Sequence, residues 1–257
     1  MSQNFAALAE QNLDRLLTCS YFGRAIFAAV SESGNHVYLA TAISGRSPGS
    51  QNRRYVFGTD ATVRTEQVDT TQGVGDADLT LYPTQAERHN RIFAISNGSQ
   101  TTMALEARLD STLLGGVLTG FKHEPDDPIL TNRITATCQL IRGQVPEDQI
   151  VPMFEFVTHS PNEDGSTLIS LTTPEQIKPG YAKFLATYDG DGSKTPLRFE
   201  GGPRILWTSA INSLENLVAI LKQGNDYLVA VSFKKIDLKN GRSETRLWNR
   251  HGDKPAI

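Results

Sequence analysis

Cysteine is scarce in this chain of 257 residues; only Cys19 and Cys138 occur. Two thiols cannot build a disulfide framework, so a reducing compartment, the cytoplasm, is expected. Long apolar runs are missing as well. None reaches the roughly 20 residues that span a bilayer. The opening segment, MSQNFAALAEQNLDRLLTCSYFGR, lacks the basic start and apolar run of a signal peptide. Positive charge is not in excess, since 25 Lys and Arg stand against 28 Asp and Glu for a formal net charge of -3. That argues against a broad phosphate-backbone footprint. It leaves room for one small anion held by a local arginine cluster. The histidines, His36, His89, His123, His159 and His251, are scattered, with no pair at zinc-ligand spacing.

What is present is the patterning of a layered α+β protein. Phe5, Leu8, Ala9, Leu13, Leu16 and Leu17 recur at helical spacing and predict an amphipathic helix. Ala25–Val30 and His36–Ile43, separated by SESGN, predict a hairpin. The second of these strands is apolar on both faces and must be covered on both. Further strands are expected at YVFG, RIFAIS, ITATCQLI, TLISLT, KFLATY and YLVAVSFKK. Leu105, Leu109, Leu113 and Val117 predict a second helix, weakened at its end by Gly115 and Gly116. Ile211, Leu214, Val218 and Leu221 predict a third, with Thr208 or Ser209 as its cap. Sheet faces this apolar need another sheet or helices over them. No fixed-period repeat appears, and the polar loops HSPNEDGS and YDGDGSKTP are too short to mark a domain boundary.

Polar chemistry gathers in five places. SGRSPGSQNRRYVF, from Ser44 to Phe57, carries Arg46, Asn52, Arg53 and Arg54. Arginine offers a planar fork of donors suited to phosphate and carboxylate oxygens. Gly45 would let the backbone before Arg46 approach a ligand. Arg53 and Arg54 enter a strand, so only one of them can face a given pocket without a bulge. YFGR puts Arg24 at the mouth of the first strand. SNGSQT, Ser96 to Thr101, is a strand–turn–helix junction whose free amides could hold an anion. KHEPDDPILTNRI gathers Glu124, Asp126 and Asp127 before Arg133, and ATYDGDG ends a strand with Tyr188, Asp189 and Asp191.

These same segments carry a resemblance. YFGR, ISGRSPGSQNR, LTLYPTQAERHNRIFAISNGSQT, EPDDPILTNRI and FLATYDGDG stand in the order and approximate spacing of the archaeal-type inosine monophosphate cyclohydrolase family. The chain resembles it from Tyr21 to the last strand. The first 20 residues look like a helical extension absent from the shorter archaeal members, with residues 21–257 as one domain. The resemblance implies a four-layer αββα sandwich similar to N-terminal nucleophile hydrolases. It implies closure of 5-formamidoimidazole-4-carboxamide ribotide to inosine monophosphate, chemistry that needs no metal or redox cofactor. The implied ligand is a small purine ribotide, with no nucleic acid and no membrane, and homo-oligomers are implied. By position in the matching motifs, Arg46, Tyr82 and Glu124 are the expected reactive trio. Arg46 would polarise a carbonyl. Tyr82 would donate to the developing oxyanion or to leaving water. Glu124 would move a proton, given a pKa raised by burial. Arg24, Asn52, Arg53, Asn97, Gln100 and Arg133 are expected contacts to phosphate, ribose and base. Asp189 would meet a ribose hydroxyl or orient an arginine.

Plainer roles compete with each of these. The arginine loop and the acidic turn at Glu124 could be solvated surface. Tyr82, before Pro83, could cap a strand edge, and Arg133 could be a structural ion-pair partner. Rival functions compete too. An N-terminal nucleophile amidohydrolase would need cleavage after Thr18 to expose Cys19. A calcium loop would use Asp189, Asp191, Ser193 and Glu200, although Lys194 stands where its sharp turn wants glycine. A purine-nucleotide-binding protein without catalysis would keep the arginines alone.

Overall fold

Two antiparallel sheets carry the fold in the computed structural model. It describes residues 4–252 except 60, 73–76, 110–113, 127, 143–149, 191, 192 and 194. The strands are β1 (Arg24–Val30), β2 (His36–Ser44), β3 (Arg53–Phe57), β4 (Val63–Gln67), β5 (Pro83–Arg88), β6 (Ile92–Ser96), β7 (Arg133–Arg142), β8 (Ile150–Pro161), β9 (Thr167–Leu171), β10 (Tyr181–Ala186), β11 (Arg204–Trp207), β12 (Leu228–Asp237) and β13 (Ser243–Asn249). The helices are α1 (Phe5–Thr18), α2 (Pro48–Gln51), α3 (Ala77–Thr80), α4 (Thr101–Leu109), α5 (Leu114–Val117) and α6 (Leu214–Gly224). The first sheet runs β11-β10-β1-β2-β12-β13 and the second β3-β4-β5-β6-β7-β8-β9. The expected hairpin pairs Arg24 with Ile43 through to Val30 with Val37.

Strand periodicity sorts the side chains into layers. On β6, Phe93 and Ile95 join the large core shared with the first sheet, whereas Ile92 and Ala94 join a second cluster with Ala104 and Leu105 of α4. On β7, Ile134, Ala136, Cys138 and Leu140 all face the shared core, together with Phe27 of β1 and Phe154 and Phe156 of β8. Each buried phenylalanine stabilises the stack by about 1.5–3 kcal/mol. Helices α1 and α6 lie against the first sheet and α4 and α5 against the second. The protein is thus α+β with two sheets packed between helices.

Helix α1 begins where the Asn4 side chain accepts from Ala7 N at 3.3 Å. It packs on β11 and α6, its Leu16 enters the main core, and its buried Asn12 donates to Ile205 O at 3.0 Å. The third expected helix is α6, but its cap is Ser213, which accepts from Asn216 N at 3.1 Å; Ile211 ends a separate 3-10 turn. Of the second expected helix, Leu105 and Leu109 lie on α4 and Val117 on α5, while Leu113 is outside the described residues. Strands β4, β5, β11 and β13 carry too many polar residues, or are too short, to announce themselves, and β8 carries Pro152 inside its run. No helix among the described residues is long and apolar enough to cross a membrane.

Candidate functional site

One end of β1 opens onto a cleft of about 490 Å³, with Arg24, Arg46, Arg53, Glu124, Tyr21 and Tyr188 among its lining residues. Gly23 shapes its floor. Its φ is +68°, and a Cβ there would fall 2.3 Å from Thr187 Oγ1 and 2.5 Å from the Tyr188 ring. Only glycine lets the chain enter β1 with Tyr188 this close. Thr187 Oγ1 in turn accepts from Arg24 N at 3.1 Å.

The Arg24 side chain is largely covered and grips Glu124 with both arms of its fork, Nη1 to Oε1 at 2.8 Å and Nη2 to Oε2 at 2.5 Å. Arg133 Nη1 lies 3.8 Å from Oε1 of the same carboxylate. Two guanidiniums therefore share one acid. Burial pushes the Glu124 carboxyl above its ordinary range, against the pull of Arg24 and Arg133. Burial also works against the charge of Arg24, but Glu124, with Tyr82 and Tyr188 nearby, outweighs it and holds the guanidinium protonated.

The arginine loop is built by its small residues. A Cβ on Gly45 would sit 2.4 Å from Ser50 O, so this glycine serves the close approach of the loop to its own backbone rather than to a ligand. Ser47 and Ser50 cap α2 reciprocally, Ser50 N to Ser47 Oγ at 3.2 Å and Ser47 N to Ser50 Oγ at 2.9 Å. The Arg46 guanidinium carbon lies 4.4 Å from the centre of the Tyr21 ring. Arg53 reaches the cleft wall and donates from Nε to Ser50 O at 2.9 Å. Arg54 instead pairs with Glu66 at 2.9 Å and does not line the cleft. The strand alternation expected of these two arginines holds.

Tyr82 is buried, and its hydroxyl finds no hydrogen-bond partner among the described residues. It is not in the lining, but it lies within electrostatic reach of Arg24 and Arg133. Of the expected trio, Arg46 and Glu124 border the cleft directly.

Several side chains expected as ligand contacts are engaged within the fold. Asn52 clasps Asp69, donating from Nδ2 to its carbonyl and accepting from its N–H, both at 2.8 Å, and lies outside the lining. Asn97 spends its amide on Asn132 O (2.8 Å), Ile134 N (2.8 Å) and Gln100 Nε2 (3.1 Å). Gln100 Oε1 accepts from Arg133 Nη1 at 3.4 Å, and Arg133 Nε donates to Lys122 O at 3.0 Å. Asn97, Gln100 and Arg133 therefore brace the acid from inside and do not line the cleft. In the turn around them, Asn97 N goes to Ile134 O and Gly98 N to Ser96 Oγ, so these two amides are taken. Asp189 orients an arginine, pairing with Arg204 at 2.8 Å, outside the lining.

Sequence reasoning passed over Tyr21, Asp126, Thr131 and Tyr188 as site residues. Thr131 donates from N and Oγ1 to the two carboxylate oxygens of Asp126, at 2.6 and 2.5 Å, and its hydroxyl also bonds the Tyr188 hydroxyl. Burial raises the Tyr188 phenol above its usual range. All four lie in segments singled out for their charges, where Asp126 and Tyr188 stand without an assigned role and Tyr21 and Thr131 carry no charge to mark them. Asp127, Asp191 and Lys194 are outside the described residues.

Cys19 is buried, does not line the cleft, and has its thiol pushed up by burial. It is poorly placed as a nucleophile. The carboxylate of Asp189 is engaged by Arg204, and no group of three His, Cys, Asp or Glu able to hold a metal comes together among the described residues.

A family described as IMP cyclohydrolase-like protein matches residues 21–226. No curated protein matches the chain.

Proposed function

The chain belongs to the IMP cyclohydrolase-like family, and on that premise we propose that it closes 5-formamidoimidazole-4-carboxamide ribotide to inosine monophosphate. The observation that carries the reading is the carboxylate of Glu124 held between Arg24 and Arg133 at a cleft that Arg46 and Arg53 also line.

In this reaction the carboxamide nitrogen bonds to the formyl carbon and loses one proton. The formyl oxygen is protonated to a hydroxyl. Its C–O bond then breaks as a C=N bond forms to the former formamido nitrogen, which gives up its proton. The oxygen thus leaves as water, with two protons gained against the two lost from nitrogen. The attack is intramolecular, so the cleft must first hold the formyl group against the amide. Arg53 and the Ser47 and Ser50 hydroxyls form the wall we assign to the phosphate. Arg46 is assigned to the formyl oxygen, where negative charge gathers as the carbon becomes tetrahedral. Glu124, its carboxyl raised by burial, takes the proton from the amide nitrogen. This requires the substrate to displace part of the Arg24 fork. Tyr82 lies behind the lining, so the same displacement of the Arg24 fork must open the way for its buried hydroxyl, which lacks a partner among the described residues, to donate to the departing oxygen.

The two sheets between helices have the layering we expect to be shared with N-terminal nucleophile hydrolases, as architecture and not as mechanism. The same reading has the protein acting in the cytoplasm as a homo-oligomer on a purine ribotide, without nucleic acid or membrane. The test is mass and absorbance analysis of purified protein with the formamido ribotide. Loss of one water faster than in buffer, lowered about 10²-fold or more in Arg46→Ala and in Tyr82→Phe, is the expected result. Binding of inosine monophosphate without turnover would instead favour a nucleotide-binding protein.

A further inference from the structure

We propose that Tyr21 is a positioning residue for Arg46, holding its guanidinium in place across a ring stack that Tyr188 backs. The structural part of this stands alone; its kinetic consequence rests on the cyclohydrolase reading. Arg46 sits on a loop, and a long side chain there loses much rotamer freedom when it must address one oxygen. The Tyr21 ring lies 4.4 Å from the guanidinium carbon. A ring contact engages the face of a guanidinium and leaves its N–H edge, the part that binds oxygen, uncovered by the ring.

Tyr21 is itself fixed on several sides. Its N–H donates to Gly190 O at 3.1 Å. Its ring stacks on Tyr188 at 5.5 Å between centroids and 21° between planes, and meets Tyr227 edge-on at 5.9 Å. Tyr188 donates from N to Phe22 O at 3.1 Å, and its hydroxyl is tied to Thr131, which is tied to Asp126. Gly23 leaves the gap into which the Tyr188 ring fits. A continuous set of contacts thus runs between Asp126 and Arg46, both of which line the cleft.

The test compares kcat and KM for Tyr21→Leu, Tyr21→Phe, Arg46→Ala and the double variant Tyr21→Leu/Arg46→Ala. Loss of the ring should lower kcat about tenfold, the size of a partly desolvated cation–π contact, with KM moving less than about twofold. Tyr21→Phe, which keeps the ring, should recover most of that loss. On the Arg46→Ala background, removal of the ring should cost nothing further. A full additional loss in the double variant, or a Tyr21→Phe as impaired as Tyr21→Leu, would overturn the proposal. Tyr21→Met replaces Tyr21→Leu if the latter does not fold. A second readout needs no substrate: modification of Arg46 by phenylglyoxal, followed by peptide mass mapping, should quicken several-fold in Tyr21→Leu and not in Tyr21→Phe. If the wild-type chain leaves the ribotide unchanged, the cyclohydrolase reading fails alone. The modification rates then decide the stack, and equal rates in all three proteins would refute it.

Discussion

Glu155 and Glu124 are both buried acids gripped by arginine, yet they are set in opposite surroundings. Glu155 lies on the helix-covered side of the second sheet. Its Oε2 accepts from Arg108 Nη1 at 3.0 Å and its Oε1 from Leu114 N at 3.1 Å, while Arg108 Nη2 donates to Gln139 at 2.6 Å. One charge meets one charge, and the remaining bonds tie α4 and α5 to β7 and β8. Glu124 meets two guanidiniums, with Asp126 also within electrostatic reach, and it opens onto a cleft. Burial raises both carboxyls. Burial and an arginine partner therefore do not distinguish a functional acid from a structural one. Access to the cleft does.

Substitution should separate the two sites most sharply in catalysis. Glu124→Gln keeps the shape of the acid and removes its proton chemistry, so kcat for ring closure should fall about 10²–10⁴-fold. Circular dichroism should still report a folded chain. A kcat within a few-fold of wild type would make Glu124 a brace for Arg24 and erase the distinction. Arg108→Ala should do the converse. It strands Glu155 as an uncompensated buried charge, which costs about 3–5 kcal/mol of stability, visible as a lower urea midpoint. The fraction that remains folded should keep its KM.

The smallest effect is in pH. A carboxyl raised by burial binds its proton more tightly folded than unfolded. Its contribution to stability is full below the ordinary value of 4.5 and is lost as pH rises through the raised folded value. Glu124→Gln lacks that loss. Wild type should therefore lose ground to the variant, in urea midpoints measured side by side, as pH climbs from about 4 towards neutrality. The opposite trend would mean that attraction to Arg24 and Arg133 outweighs burial at this acid.

Much of the scaffold was legible. α1, the β1–β2 hairpin, β6, β7 and β12 follow from apolar period, because each presents a continuous apolar face to the core. β5 and β8 were not, because PTQAER and IVPMFEFVTHSP place acids inside strands. Those acids are tolerated because Lys234 on β12 meets Glu87 and Arg108 on α4 meets Glu155, pairings made between layers and invisible along the chain. At the site, the motifs brought Arg24, Arg46, Arg53 and Glu124 to the cleft, whereas other expected contacts lie outside its lining. Asn52, Asn97 and Gln100 have the donors and acceptors of a binding residue, yet their amides are taken up by neighbours within the fold.

The sequence by itself determined what is local. It set the period of each main helix and strand, the opposite facing of Arg53 and Arg54, and the glycine at position 23 that a left-handed φ requires. Tertiary structure alone decided which polar groups are spent and which are offered. Arg24 and Glu124 are 100 residues apart, and Tyr21 meets Tyr188 from separate strand ends. Such partners are chosen by how the two sheets stack and where their ends converge, and local periodicity carries no record of that.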